Sequence, residues 1–129
     1  MPAAYTIDPV RRVVFSRAWG ILTDEDLLEH QRQLKADPAF DPSFNQLFDF
    51  RCVTESQLTG EGVRQLARRN AFGAHAKRVF VVLSPVMYGM MRMFEILTSD
   101  DPDELQVQVS QIDEAYQWLG IAEGGGNVA

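Results

Sequence analysis

Between Lys77 and Leu97 the chain reads KRVFVVLSPVMYGMMRMFEIL. Five consecutive apolar residues, Val79 to Leu83, are followed by Ser84-Pro85 and then by an apolar pattern of helical length. A short unbroken apolar run bounded by a turn signal is what a strand covered on both faces looks like, so the stretch predicts a buried strand feeding a helix. Such a strand needs neighbours on both edges and packing above and below. The remaining residues must supply them, which points to an α/β fold.

Read from the start, Tyr5 to Asp8 and Arg12 to Trp19 flank an Asp8-Pro9 turn signal, and the second run alternates as a half-solvated strand does. They predict an opening β-hairpin, with Gly20 breaking the pattern. Thr23-Asp24-Glu25-Asp26 offers an N-cap, a carboxylate three residues later and negative charge at the positive end of a helix. That helix should run to about Lys35, with a narrow apolar stripe of Leu27, Leu28 and Leu34, before Pro38 and Pro42 end it. His30 sits at the edge of this stripe and reads as a hydrogen-bonded packing residue.

Asn45 to Phe50 is a short strand candidate. Thr59 begins a second helix whose Val63, Leu66, Ala67, Asn70 and Ala71 share a face, with Arg64, Arg68 and Arg69 near its negative end. After the central unit come an acidic turn, Ser99 to Glu104, an alternating strand, Leu105 to Val109, and a last helix, Asp113 to Leu119, closing at Gly120. The order ββαβαβαβα predicts a five-stranded mixed sheet, an antiparallel hairpin followed by parallel β-α repeats, with about four helices. Residues 1–120 are expected to form one domain of ordinary size, and 121–129, rich in glycine, a flexible tail.

Several local phrases add to that order: Trp19-Gly20 leading into Leu22-Thr23, Asp49-Phe50-Arg51, the Val79 to Ser84 strand with Pro85, and Ile112-Asp113-Glu114-Ala115 before Trp118-Leu119. Over Tyr5 to Gly120 the chain resembles the SpoIIAA-like or STAS-like fold of anti-sigma-factor antagonists and, more loosely, lipid-transfer domains of the Sec14 type. The resemblance implies a small bacterial module that acts through protein–protein contact, with no catalytic residue, cofactor or metal; the looser one implies a carrier or sensor of an apolar or amphipathic small molecule. Anti-sigma antagonists carry a phosphorylatable Asp-Ser-Ser-Gly turn after the strand corresponding to Leu47 to Phe50. Here Arg51-Cys52-Val53-Thr54-Glu55-Ser56 stands instead, so no phosphoacceptor is carried over to Thr54 or Ser56.

Composition narrows the partners. The formal charge is −6 and no basic face concentrates in either half, which argues against nucleic acid. The N-terminus lacks the pattern of a secretory signal, and the longest charge-free run is too short to span a bilayer, so a cytoplasmic setting without a membrane span is expected. Cys52 is the only cysteine, which excludes an internal disulfide; it reads as a small buried hydrophobe rather than a nucleophile. Two distant histidines make no zinc set, and Asp100, Asp101, Asp103 and Glu104 lack the spacing of a calcium loop.

If the two central strands are neighbours, the rim at their carboxyl ends offers Asp49, Arg51, Cys52 and Thr54 from one and Ser84, Met87 and Tyr88 from the other. Asp49 with Arg51 reads either as a ligand-orienting pair or as a structural ion pair. Ser84, followed by Pro85, has the position of an N-cap. The helix after Pro85 carries two apolar stripes: Met87, Met91 and Phe94 to face the sheet, and Val86, Met90, Met93 and Leu97, rimmed by Tyr88 and Arg92, to face something else. A homodimer partner, an apolar ligand or the neighbouring helix are the candidates for that cover, and a regulatory protein is a further candidate partner of the module.

Overall fold

The structure, a computed structural model, describes residues 2–98 and 105–122. The predicted acidic turn at 99–104 and the tail beyond Ala122 lie outside the described residues. Strands β1 (Ala3–Asp8) and β2 (Val13–Thr23) are followed by α1 (Asp24–Ala36), β3 (Asn45–Gln57), α2 (Gly60–Arg68), β4 (Arg78–Val81), α3 (Pro85–Thr98), β5 (Gln106–Val109) and α4 (Ile112–Leu119). The sheet order is β1-β2-β3-β4-β5, with β1 antiparallel to β2 and every later pair parallel. The α/β class and the element order predicted above are those observed.

Parallel crossovers are right-handed, and here each one steps to the next strand in the same direction. All three connecting helices therefore fall on one side of the sheet. Their core includes Leu22, Leu27, Phe48, Phe50, Val63, Leu66, Phe80, Met87, Met91 and Phe94. Only α4, which follows the last strand, returns to the opposite face, where Ala115, Tyr116 and Leu119 pack on Val13, Phe15, Leu47, Val79 and Val81. Phe80 lies at the centre of the larger core, 1% exposed between Phe50 and the edge of the Phe94 ring. Truncating such a residue to alanine costs about 3–5 kcal/mol.

The helix starts follow the sequence closely. Thr23 and Asp26 form a reciprocal capping box at α1, and Thr59 Oγ accepts the Gly62 amide at α2. The Thr59 amide and hydroxyl both donate to Asp24, at 2.9 and 2.6 Å, so one carboxylate ties the two helix starts together. Gly62 is required there because a Cβ would sit 2.0 Å from the Asp24 carboxyl.

Both long strands outrun their predicted ends. Gly20 does not break β2: it lies inside it with φ +67°, a left-handed conformation that glycine adopts without strain, and the strand continues to Thr23. β3 continues past Phe50 to Gln57, with an extra residue looped out between Asp49 and Cys52 and another between Val53 and Glu55. Such bulges bend and twist a strand without ending it. β4 starts one residue before the predicted run and stops at Val81, two residues short of its end, so Leu83 leaves the sheet 65% exposed. α2 ends at Arg68, short of Asn70 and Ala71, and Arg64 and Arg68 both pair with Glu61.

Candidate functional site

Asp49 pairs with Val81 across β3 and β4, so the two strand ends meet as expected. The rim they were predicted to form is different in kind. Asp49, Arg51 and Thr54 lie within β3, not on a loop beyond it, because β2 supplies pairing partners out to Gln57. Asp49 Oδ1 accepts Arg51 Nε at 3.0 Å, Oδ2 accepts Nη2 at 2.9 Å, and the Arg51 amide donates to Oδ1 at 3.0 Å. The carboxylate thus holds the bulge as an internal ion pair. Cys52, expected to be buried, is exposed: the bulge rotates it to the α4 side of the sheet, level with Trp19 and beyond the residues that α4 covers.

On the other strand end, Ser84 is the expected N-cap, its Oγ accepting the Met87 amide at 3.3 Å and its carbonyl the Tyr88 amide at 2.9 Å. Met87 belongs to the core at 1% exposure and is closed to any ligand. Tyr88 is 54% exposed, and its carbonyl accepts Gln108 Nε2. The sequential strand order also has no point where neighbouring crossovers diverge. The crevice that binds ligands in open α/β sheets arises at such a reversal, so this sheet does not form one.

The two-striped helix α3 is resolved in the same way. Met87, Met91 and Phe94 face the core as predicted, with Glu95 beside them. Met90 and Met93, assigned above to the second stripe, are half-buried against the same core, next to α2. Their cover is the chain's own neighbouring helix. What remains outside is a ridge: Leu83, Val86, Tyr88, Ile96 and Leu97, each about half to two thirds exposed. Arg92 Nη1 contacts Glu95 at 3.2 Å on its flank. A polar groove of about 220 Å³ runs beside it, lined by Tyr88, Arg92, Glu95 and the β5 residues 106–108.

Sequence reading missed a polar chain through the larger core. Arg78 Nε and Nη2 donate to Gln46 Oε1 at 3.0 and 2.9 Å, and Nη1 donates to Asn70 Oδ1 at 3.1 Å. Gln46 Nε2 donates to Ser16 Oγ at 3.1 Å, and Ser16 Oγ lies 3.0 Å from His30 Nε2. Rings of Phe72, Phe80 and Phe94 surround the guanidinium, with centroids 4.4, 5.6 and 4.8 Å away. Burial pushes Arg78 down to about 9, Glu95 partly opposing the shift, so the residue stays a cation at neutral pH. Burial, with Arg78 nearby, pushes His30 down to about 4.

The Ser16–His30 contact has the spacing of a nucleophile and its base, but Ser16 is 0% and His30 3% exposed, and no substrate reaches them. A small cavity of about 30 Å³ between α1, α2 and the sheet touches His30, Gln31, Gln46 and Arg78. It has room for a water or two, far less than a ring compound needs. The signal for this chain was present as polar residues, Ser16, Gln46 and Arg78, set among strand residues that are otherwise apolar.

No family model matches the chain, and no curated protein matches it in sequence. Among solved structures it is similar to the anti-sigma factor antagonist SpoIIAA in its unphosphorylated form, with 15% identity and a TM-score of 0.56 over 88% of this chain and 94% of that one. The fold is therefore SpoIIAA-like, that is, STAS-like. No helix among the described residues is long and apolar enough to cross a membrane.

Proposed function

We propose that the chain is a non-catalytic STAS-type module of the cytoplasm that works by binding a regulatory protein, and that the outer ridge of α3 is its contact surface. One observation carries the reading. Among the described residues, seven large hydrophobic ones are exposed by about half or more, and five of them (Leu83, Val86, Tyr88, Ile96 and Leu97) fall between positions 83 and 97. Contiguous exposed apolar surface marks contact sites, whereas scattered residues do not. Gly89 lies on the same side of the helix with open space around it, so a partner can approach the α3 backbone closely. The SpoIIAA-like fold, seen in an antagonist of an anti-sigma factor, supports a role in protein regulation.

The likeness does not bring a phosphoserine switch with it. Thr54 is a bulge residue, Ser56 is paired with Leu22, and the Thr59 hydroxyl at the start of α2 is bonded to Asp24. A carrier of an apolar molecule is opposed by the size of the core cavity and by the burial of Met87. The test is a Val86→Asp/Leu97→Asp variant compared with wild type by quantitative affinity purification from the native host. A partner retained by wild type and lost by a variant of unchanged circular dichroism supports the ridge. An identical set of bound proteins removes it.

A further inference from the structure

We infer, resting on the contact surface proposed above, that the partner segment docking on α3 is an acidic amphipathic helix, seated in the groove between α2 and α3. These two helices follow neighbouring parallel strands on the same side of the sheet, so they lie side by side and point the same way. Along the α2 side of α3 runs a row at helical spacing, Val86, Met90, Met93 and Leu97. Val86 is 57% and Leu97 49% exposed, while Met90 and Met93 are half-buried, so the ends of the row stand up and its middle forms a floor. The row is about 16 Å long and carries no charge.

The α2 wall of this groove is basic, against the trend of a chain whose formal charge is −6. Between positions 60 and 69 stand Arg64, Arg68 and Arg69 against a single acid, Glu61. Arg64 and Arg68 share that carboxylate, at 3.0 and 3.1 Å, and both side chains are half or more exposed. One carboxylate offsets one of the two guanidinium groups, so the wall keeps a net positive charge, to which the exposed Arg69 adds. Gly60 brings charge and floor together: the position of a Cβ there is 3.6 Å from Arg64 Nη1 and 3.9 Å from Met93 Cε. A guanidinium thus borders the apolar floor directly.

An elongated apolar row beside a second helix accepts a helix, which lays its own apolar face at i, i+4 and i+7 into the groove. The flank of that helix toward α2 must then offer carboxylates, because a cation there would oppose Arg64 and Arg68. An anionic membrane has the same charge but is a plane, and docking on it would bring the rest of a −6 chain against it. A single helix meets the groove alone, and charges beyond about 8 Å are screened.

The experiment is fluorescence anisotropy, with the full chain titrated onto three labelled helical peptides of about 16 residues. They share one apolar row and differ only in the residues flanking it: glutamate, glutamine or lysine. The glutamate peptide is expected to bind about tenfold tighter than the lysine peptide, with an affinity that falls as salt is raised. Val86→Asp/Leu97→Asp should weaken all three. Arg64→Glu/Arg68→Glu should reverse the order, so that the lysine peptide binds tighter, a gain that misfolding cannot produce. Equal binding of the three peptides by wild type overturns the acidic helix as occupant while leaving α3 as a contact surface. Glutamate binding that survives Val86→Asp/Leu97→Asp overturns both. A wild type that binds none of the peptides also overturns the acidic helix, and if it binds phosphatidylglycerol vesicles instead, the occupant is a membrane.

Discussion

Replacing Gln46 with leucine tests the polar chain in the core more directly than any other change. The side chain is 1% exposed, so leucine matches its size but removes an acceptor that serves two N–H groups of a buried guanidinium and a donor to Ser16. Hydrogen bonds to charged groups contribute about 1.5–3 kcal/mol each and a neutral one about 1. Two charged bonds sharing one oxygen, plus the neutral bond, put the loss at about 4 kcal/mol, a large part of the 5–15 kcal/mol typical of a domain. Arg78 would keep Asn70 as an acceptor and the Glu95 carboxylate as a nearby counter-charge.

The pair Gln46→Leu/Arg78→Met separates the cause. With the cation gone, the orphaned charge goes too, and apolar replacement of buried ionic groups is often neutral. The double variant should then be more stable than Gln46→Leu alone, although it carries more substitutions. Urea unfolding followed by circular dichroism, with midpoint and slope fitted for the four proteins, gives the coupling. The reasoning fails if Gln46→Leu stays within about 1 kcal/mol of wild type, or if the two substitutions simply add.

Two further predictions concern titration and backbone. His30 is held near 4 in the folded chain against 6.5 when free, so it is neutral when folded and the unfolded chain takes up its proton first as pH falls. Stability should therefore drop between about pH 6.5 and 4, by about 3 kcal/mol in all, and His30→Leu should flatten that part of the profile measured by urea midpoints. The carboxyls of Asp8, Glu29, Asp41 and Glu61 are held below their usual range by arginine or hydroxyl and amide donors, so their contribution is lost at still lower pH. Gly20→Ala and Gly89→Ala should shift the melting temperature in opposite directions. Neither Cβ meets an atom within 4 Å, but Gly20 has φ +67° and loses about 1 kcal/mol to strain, whereas Gly89 is in a helix and gains about the same.

The sequence by itself determined the element order, the strand–helix unit at its centre and the caps at Thr23, Thr59 and Ser84, because alternation, helical period and capping are local properties of a few neighbouring residues. It also placed His30 and the Met87, Met91 and Phe94 stripe correctly. Only the tertiary structure decided where β2 and β3 end, since strand length depends on the pairing partner, and each of the two strands sustains the other past Gly20 and Phe50. Whether Met90 and Met93 were ridge or core depended on where α2 docked. Cys52 turned outward because a bulge, set by mismatched residue counts on two strands, reversed its side. The joining of Ser16, His30, Gln46 and Arg78, far apart in sequence, arises from strand register and helix docking, and so does the bare half of the sheet beyond α4.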